Sequence, residues 1–313
     1  MLQEYYSNYF NVDLLINLIG LSTFRRREFG FDLGNGNFVR NISFRTPTQL
    51  VAYMAHHGVF QAYVGAVYEE GPSRKKSIQK LKWDYRELGF DIDLDEYDPI
   101  RVCGCSGKKF CKTCWEFAKT AIILLDNTMK DDFGFQETRW IFSGRRGVHG
   151  WVLDENGKKL NRKQRSSIIQ YLSMDGIDAN NFNKKLRYVH PLRLRVIDLV
   201  AYSYFLHASP SELMNDLGFR EKDAKRIIKA AEAGRKKFNW KQDLPSNVDA
   251  QKAAQKVFEY RFPRIDGKVT CDIRRLLKIP NSINGLTGNE CRVIEDYESF
   301  DPIDDVPSIF NYI

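Results

Sequence analysis

The stretch ELGFDIDLDEYD, residues 87–98, ends an apolar run in two acids separated by a single isoleucine. Its first seven residues are apolar enough to predict a buried β-strand. On a strand alternate side chains share a face, so Asp91 and Asp93 point the same way. Two carboxylates held that close resist ionisation together unless something compensates them. Divalent cations are one such compensation: Mg²⁺ takes hard oxygen ligands, usually one or two carboxylates, with substrate phosphates completing the shell. The alternative is a solvated acidic turn, because Asp95, Glu96 and Asp98 follow directly.

About fifty residues on, FSGRRGVHGWV (142–152) supplies a partner for such a metal site. Its small residues allow close backbone approach to a phosphate. Ser143, Arg145, Arg146 and His149 put a hydroxyl, two guanidiniums and an imidazole on one tight turn. Arginine meets phosphate oxygens through a planar fork, so the stretch reads as a polyphosphate site. A plain basic hairpin is the alternative. In RIDGKVTCDIRRLLKIPNSINGLTG (264–288), Asp266 and Asp272 are both candidate acids, and Arg274, Arg275 and Lys278 are candidate phosphate contacts. Spacing does not rank them.

Four of the six cysteines fall within CGCSGKKFCKTC (103–114). Cys103, Cys105, Cys111 and Cys114 give a C-x-C pair and a C-x-x-C pair, a set that fits a closed, tetrahedral, structural Zn²⁺ site. A redox pair at Cys111 and Cys114 is the alternative. Cys271 and Cys291 stand alone and read as small buried hydrophobes.

The rest of the chain predicts an α/β architecture. Residues 1–27 read as helical. EFGFDLGNGNFVRNISF gives strand, Gly/Asn turn, strand. TPTQLVAYMAHH opens a helix with Thr and Pro, and AYVGAVYEEG is a strand. CWEFAKTAIILLDNTMKDDFG is an amphipathic helix ending near Gly134; TRWIFSGRRGVHGWVLD is strand, turn, strand; NRKQRSSIIQYLSM is a helix. Strands alternating with helices argue for helices packed on a sheet. Residues 190–262 lack any β-rich run and read as three short helices, a helical subdomain inserted between two parts of a core at 1–189 and 263–313. The segment from 264 then returns to strand, helix and a Gly-rich loop. On the helix at 219–241, Lys222, Lys225, Arg226 and Lys229 form one stripe, read as a solvated face ahead of a nucleic-acid track.

With 313 residues, 43% hydrophobic and 28% charged, the chain can bury one large core or two modest ones. The balance of 48 Lys and Arg against 40 Asp and Glu leans toward a polyanionic partner. No run of eighteen apolar residues predicts a membrane span, and the N-terminus is acidic and aromatic rather than basic then apolar, so an intracellular protein is expected.

Taken in order, REFGF, GAVYEEGP, the run from ELGFDID to the cysteines, DDFGF, WIFSGRRGVHGWVLDE and IDGKVTCDIRRLLKIPNSINGLTG resemble the catalytic (small) subunit of archaeal and eukaryotic DNA primase, with the Asp-to-Cys run and the Arg-Arg-Gly-Val-His turn closer to eukaryotic members. The resemblance implies an α/β primase fold: a mixed β-sheet flanked by helices, a zinc-binding knuckle and a helical insertion. It implies that Asp91, Asp93 and Asp266 hold two Mg²⁺ or Mn²⁺ ions, which leaves Asp272 aside. It places nucleotide contacts on Ser143, Arg145, Arg146, His149 and Lys278, with Glu28 and Arg40 near the sugar and phosphates. It also places Asn284 at the nucleotide, where the family usually has His; Asn keeps hydrogen bonding but cannot be cationic, so a phosphate contact there is weaker or the role is lost. The C-x-C pair replaces the adjacent cysteines of eukaryotic relatives, and the chain stops soon after FDPIDDVPSIF, as in a compact or shortened member. The implied activity is synthesis of short RNA primers from NTPs on a single-stranded DNA template, with a primase large subunit as heterodimer partner and a replicative DNA polymerase as a further one. The implied location is the nucleus in a eukaryote and the cytoplasm or nucleoid in an archaeon. The rivals are a primase–polymerase extending primers with dNTPs and a non-catalytic, zinc-dependent nucleic-acid-binding scaffold.

Overall fold

A computed structural model describes residues 1–73, 81–101, 103–173, 192–235 and 237–312. In chain order its strands are β1 (Arg27–Asp32), β2 (Phe38–Ile42), β3 (Gln61–Tyr68), β4 (Trp83–Tyr85), β5 (Leu88–Asp93), β6 (Thr138–Phe142), β7 (Gly147–Val152), β8 (Leu277–Lys278) and β9 (Val293–Ile294). They form two sheets. The first runs β2-β1-β3-β4, with β8 also paired to β3; the second runs β5-β7-β6-β9. Every pairing among the described residues is antiparallel, which corrects the expectation of a mixed sheet. The cause is local: β1–β2 and β6–β7 are hairpins closed by short turns, and a tight turn reverses the chain. The first hairpin turns through Gly34, Asn35 and Gly36, all at positive φ, where Gly and Asn sit with least strain.

Two compact units make up the chain. The first comprises Met1–Asp93, Met129–Ser173 and Ile265–Ile313 and contains both sheets. Phe29, Phe31 and Val64 of the first sheet, Ile141 and Trp151 of the second, and Leu277 share one buried apolar cluster with Tyr5, Tyr6, Leu50 and Met54 from the N-terminal helices. The expected helix over 1–27 is broken into Leu2–Asn8, Val12–Ile19 and a 3₁₀ turn at Phe24–Arg26. Asn11 accepts from the Asp13 N–H and starts the second helix, and Gly20 at φ +72° stops it. The first helix also fixes a distant loop: the Tyr5 hydroxyl donates to the Asn281 carbonyl at 2.9 Å.

The second unit comprises Leu94–Thr128 and Met174–Arg264 and so groups the cysteine segment with the helices that follow residue 190. The expected boundary at residues 189 and 190 lies outside the described residues. A 16-residue helix at Leu192–His207 precedes the three that the sequence predicts, which lie at Pro210–Leu217, Glu221–Glu232 and Ala250–Arg261. The Pro210–Leu217 helix starts with a full capping box between Ser209 and Glu212 and ends on left-handed Gly218. Lys222, Lys225, Arg226 and Lys229 are exposed; Lys225 pairs with Glu221, and Arg226 reaches Asp223 at 3.7 Å. That is the solvated face.

Candidate active site and cysteine centre

The β5–β7 register sets the centre of the site. Asp91 lies opposite His149, and Asp93 lies opposite Gly147. Cross-strand partners project to the same face, so the imidazole and both carboxylates meet there. His149 Nε2 lies 3.4 Å from Asp91 Oδ1, and the Lys278 N–H donates to His149 Nδ1 at 3.4 Å. Nδ1 therefore accepts and Nε2 carries the proton toward Asp91. Burial, reinforced by the Lys278 charge, pushes the His149 pKa down to about 3, so the ring is a neutral donor.

Arg146 closes the turn onto Asp93 with a fork: Nε to Oδ1 at 2.7 Å and Nη2 to Oδ2 at 3.2 Å. Ser143 shapes the turn from within, its N–H donating to the Gly147 carbonyl at 2.9 Å and its hydroxyl accepting from the Gly147 N–H at 3.2 Å. Gly144 sits at φ +77°, and a Cβ there would meet Asn284 Cβ at 2.7 Å, so the turn presses directly on the loop after β8. Asn284 secures that contact. Its side-chain amide donates to the Ser143 carbonyl at 2.9 Å, and its Oδ1 accepts from the Leu286 N–H at 3.2 Å. Asn284 is buried, and its side chain is engaged in holding the turn.

Asp266 joins the acids through its backbone: its N–H donates to the Asp91 carbonyl at 3.1 Å. Its side chain caps the short helix Gly267–Cys271 by accepting from the Lys268 N–H at 2.8 Å. That cap makes the segment a helix where the sequence predicts a strand. Asp272, the rival acid, is gripped by the Arg274 side chain at 2.9 Å, which holds its carboxyl down at about 2.

The cations divide into paired and open ones. Arg145 is half-buried and makes no hydrogen bond or ion pair to any described residue. Lys278 is 6% exposed, and burial lowers its pKa. Its ammonium donates to Gln61 Oε1 and to the Tyr63 hydroxyl at 3.2 Å and lies 4.3 Å from the centre of the Tyr63 ring. Neither neighbour carries a charge, so Lys278 can still meet an anion. Glu28 is fully buried and accepts from Arg40 Nε at 2.9 Å; Arg40 Nη2 donates to the Arg274 carbonyl at 2.9 Å. Gln61 and Tyr63 went unread in the sequence, where AYVGAVY signals only a strand.

Carboxylates are donors that suit hard divalent ions. Asp91 and Asp93 lie on one strand, Asp266 is bonded to its backbone, and Arg146 and His149 are the partners of Asp93 and Asp91. Among the described residues, only Cys103, Cys105, Cys111 and Cys114 bring three or more potential ligand atoms together, with their sulfurs all within 4.8 Å of one another. That set could hold a metal ion such as zinc. Burial raises the Cys111 thiol, but N–H donation from the Cys114 backbone and bonds from Cys103 and Cys105 outweigh it and bring it down to about 7.

These observations define a two-sheet α/β protein whose carboxylates face guanidinium, ammonium and imidazole groups, with a separate four-cysteine centre. The sequence profile of the DNA primase small subunit matches residues 90–296. The DNA primase small subunit of Schizosaccharomyces pombe is 29% identical, over 91% of this chain and 70% of its own length. That of Saccharomyces cerevisiae is 28% identical, over 88% and 74%. DNA primase small subunit PriS of Archaeoglobus fulgidus is 30% identical, over 90% and 77%. The chain belongs to the DNA primase small subunit family.

Proposed function

We propose that this enzyme is a DNA primase that joins NTPs into short RNA primers on single-stranded DNA, with Asp91, Asp93 and Asp266 as the ligands of two divalent metal ions, Mg²⁺ or Mn²⁺. The observation that carries the reading is the pairing of two same-face acids on β5 with Arg146 and His149, beside the open cations Arg145 and Lys278. Acids alone would suit a solvated turn. Acids facing a set of phosphate-binding groups suit a nucleoside triphosphate.

In the reaction a hydroxyl oxygen of the primer 3′ end, or of the first nucleotide, bonds to the α-phosphorus of the incoming nucleotide. The bond from that phosphorus to the bridging oxygen breaks, pyrophosphate leaves with its electron pair, and the hydroxyl proton passes to solvent. Two such ions, when bound, lower the hydroxyl pKa and neutralise the leaving phosphates. Arg145 and Lys278 would take triphosphate oxygens, and Arg146, once released from Asp93, would turn toward the same oxygens. His149 donates Nε2–H as a neutral group, so it orients without adding charge. Glu28 fixes Arg40 near the sugar, and Ser143 with Asn284 keeps the turn in register. Catalysis then rests on positioning and preorganised charge.

The second unit holds Zn²⁺ at its four cysteines in a closed, structural site. Elemental analysis of purified protein is expected to return about one zinc per chain, and Cys114→Ser to release it. Metal-free, folded wild-type protein would reject the zinc site. Template DNA and a primase large subunit are the partners this reading requires, with a replicative DNA polymerase as a further one, and an intracellular setting, nuclear or nucleoid, follows from that work. No described helix is long and apolar enough to cross a membrane.

The decisive assay is de novo synthesis on single-stranded template with labelled ribonucleotides, with and without Mg²⁺ or Mn²⁺, and in parallel with deoxynucleotides. Metal-dependent, template-dependent ribonucleotide products are expected, and Arg145→Ala is expected to raise the nucleotide KM about tenfold or more through loss of a charge-assisted phosphate contact. Products from deoxynucleotides alone would favour the primase–polymerase. No product with either would leave the nucleic-acid-binding scaffold.

A further inference from the structure

Arg86 precedes β5 and is fully buried, yet among the described residues its guanidinium forms no ion pair with a carboxylate. Nη1 donates to the Val269 carbonyl at 3.0 Å, while Nε and Nη2 have no hydrogen-bond partner among the described residues. A buried, half-satisfied cation is destabilising. Its location accounts for its presence. Gly89, Asp91 and Asp93 share one face of β5, and Nη2 would lie 3.3 Å from a Cβ added at Gly89. The guanidinium therefore sits under the same face that bears the acids, in the space left by a missing side chain.

The Val269 carbonyl belongs to the helix Gly267–Cys271, whose first turn is capped by Asp266. That helix is tied to β5 at two points: the Asp266 N–H to the Asp91 carbonyl, and the Val269 carbonyl to Arg86. We propose that Arg86 is a positioning residue that sets the spacing of the third acid from the β5 pair, and thereby the affinity of the three-aspartate site for divalent metal. This rests on the metal-site reading above. Together with the packing of Val269 in the apolar cluster, these two ties fix both the distance and the tilt of a five-residue helix. Nearby Arg165 does not share the task, because its fork is spent on the carbonyls of Arg86, Glu87, Leu160 and Lys158.

The test is Mn²⁺ binding to nucleotide-free, zinc-loaded protein, followed by electron paramagnetic resonance. Arg86→Met keeps the apolar stem and removes the buried charge, a change that buried sites often tolerate. Arg86→Lys keeps the charge, shortens the reach and serves as the second variant. Both are expected to weaken Mn²⁺ binding about tenfold to a hundredfold, the usual effect of losing an outer partner of a metal site. At saturating Mn²⁺ the nucleotide KM is expected to stay within about twofold of wild type, since the phosphate contacts are untouched. A purely structural residue would lower the melting temperature and leave the Mn²⁺ affinity of the folded fraction alone. Wild-type Mn²⁺ affinity in either folded variant, with binding still lost in Asp91→Asn, would overturn the role of Arg86. Absence of Mn²⁺ binding in the wild type would overturn the metal-site reading and the proposal with it.

Discussion

Asp91→Asn is expected to reduce primer synthesis about a thousandfold or more, the scale on which groups aimed at developing charge act in a water-poor site. The substitution is close to isosteric and acts on little besides charge. Its backbone carbonyl still accepts the Asp266 N–H, and an amide oxygen can still accept from His149 Nε2. Removing one of two same-face carboxylates also relieves their repulsion, so the fold is expected to keep its melting temperature or gain slightly. Asp93→Asn should be as inactive but less neutral for the fold, because it turns the fork from Arg146 into a weaker contact. Rates at saturating Mn²⁺, beside thermal melts, separate the two effects. Wild-type rates in a folded Asp91→Asn protein would leave the acids as a solvated turn.

The parts legible in the sequence were those governed by short-range rules. ELGFDID alternates with period two and is β5; the Gly/Asn turn and the Arg-Arg-Gly turn mark hairpins that the structure contains. Thr46 caps the helix that TPTQLVAYMAHH opens. Legibility failed where tertiary context decides. The helix Leu192–His207 buries Val196, Val200, Ala201, Tyr204 and Phe205 on one face, but Leu199, Tyr202 and Leu206 put apolar residues outside that face too, so no clear amphipathic period announces it. β4, β8 and β9 span two or three residues each and exist through their pairing partners. The split into two sheets is likewise set by which strands meet, which local pattern does not encode.

Charge was the least legible property. Arg27, Arg86, Glu87 and Arg165 look like ordinary surface residues in the sequence, yet all are buried. The same limit hides part of the work of Asn284: resemblance places it at the nucleotide, while the structure shows its amide bracing the Ser143 carbonyl. Asp266 was set apart from Asp272 only by resemblance. The structure adds a physical difference: Asp266 is bonded to the backbone of β5, whereas Asp272 is engaged by Arg274 two residues on.

Glu87→Gln is expected to destabilise the protein by about 3–5 kcal/mol, the cost of breaking a buried ion pair and leaving its cation behind. Glu87 accepts the fork of Arg27 at 2.7 and 2.9 Å, and both side chains are essentially inaccessible. Two further buried guanidiniums, Arg86 and Arg165, lie close enough that their charges act on this group of residues; burial, with the neighbouring Arg165 charge, pushes Arg86 down to about 9. Glu87 is one of the carboxylates acting on this positive cluster, with Asp272 also acting on Arg86, so its loss strips Arg27 of its ion-pair partner and weakens the compensation of Arg86 and Arg165. Burial alone would raise the Glu87 pKa, but the Arg27 guanidinium outweighs it and holds the carboxyl below its ordinary value of 4.5. A depressed folded pKa places the stabilisation above the unfolded value; it is lost as pH falls through the folded one. Wild-type stability is therefore expected to decline below about pH 4.5, and Glu87→Gln to start lower and remove that part of the acid dependence. Urea melts at pH 7 and at pH 4 measure both effects. Equal stability of the two proteins at pH 7 would show that the buried cations find their compensation elsewhere.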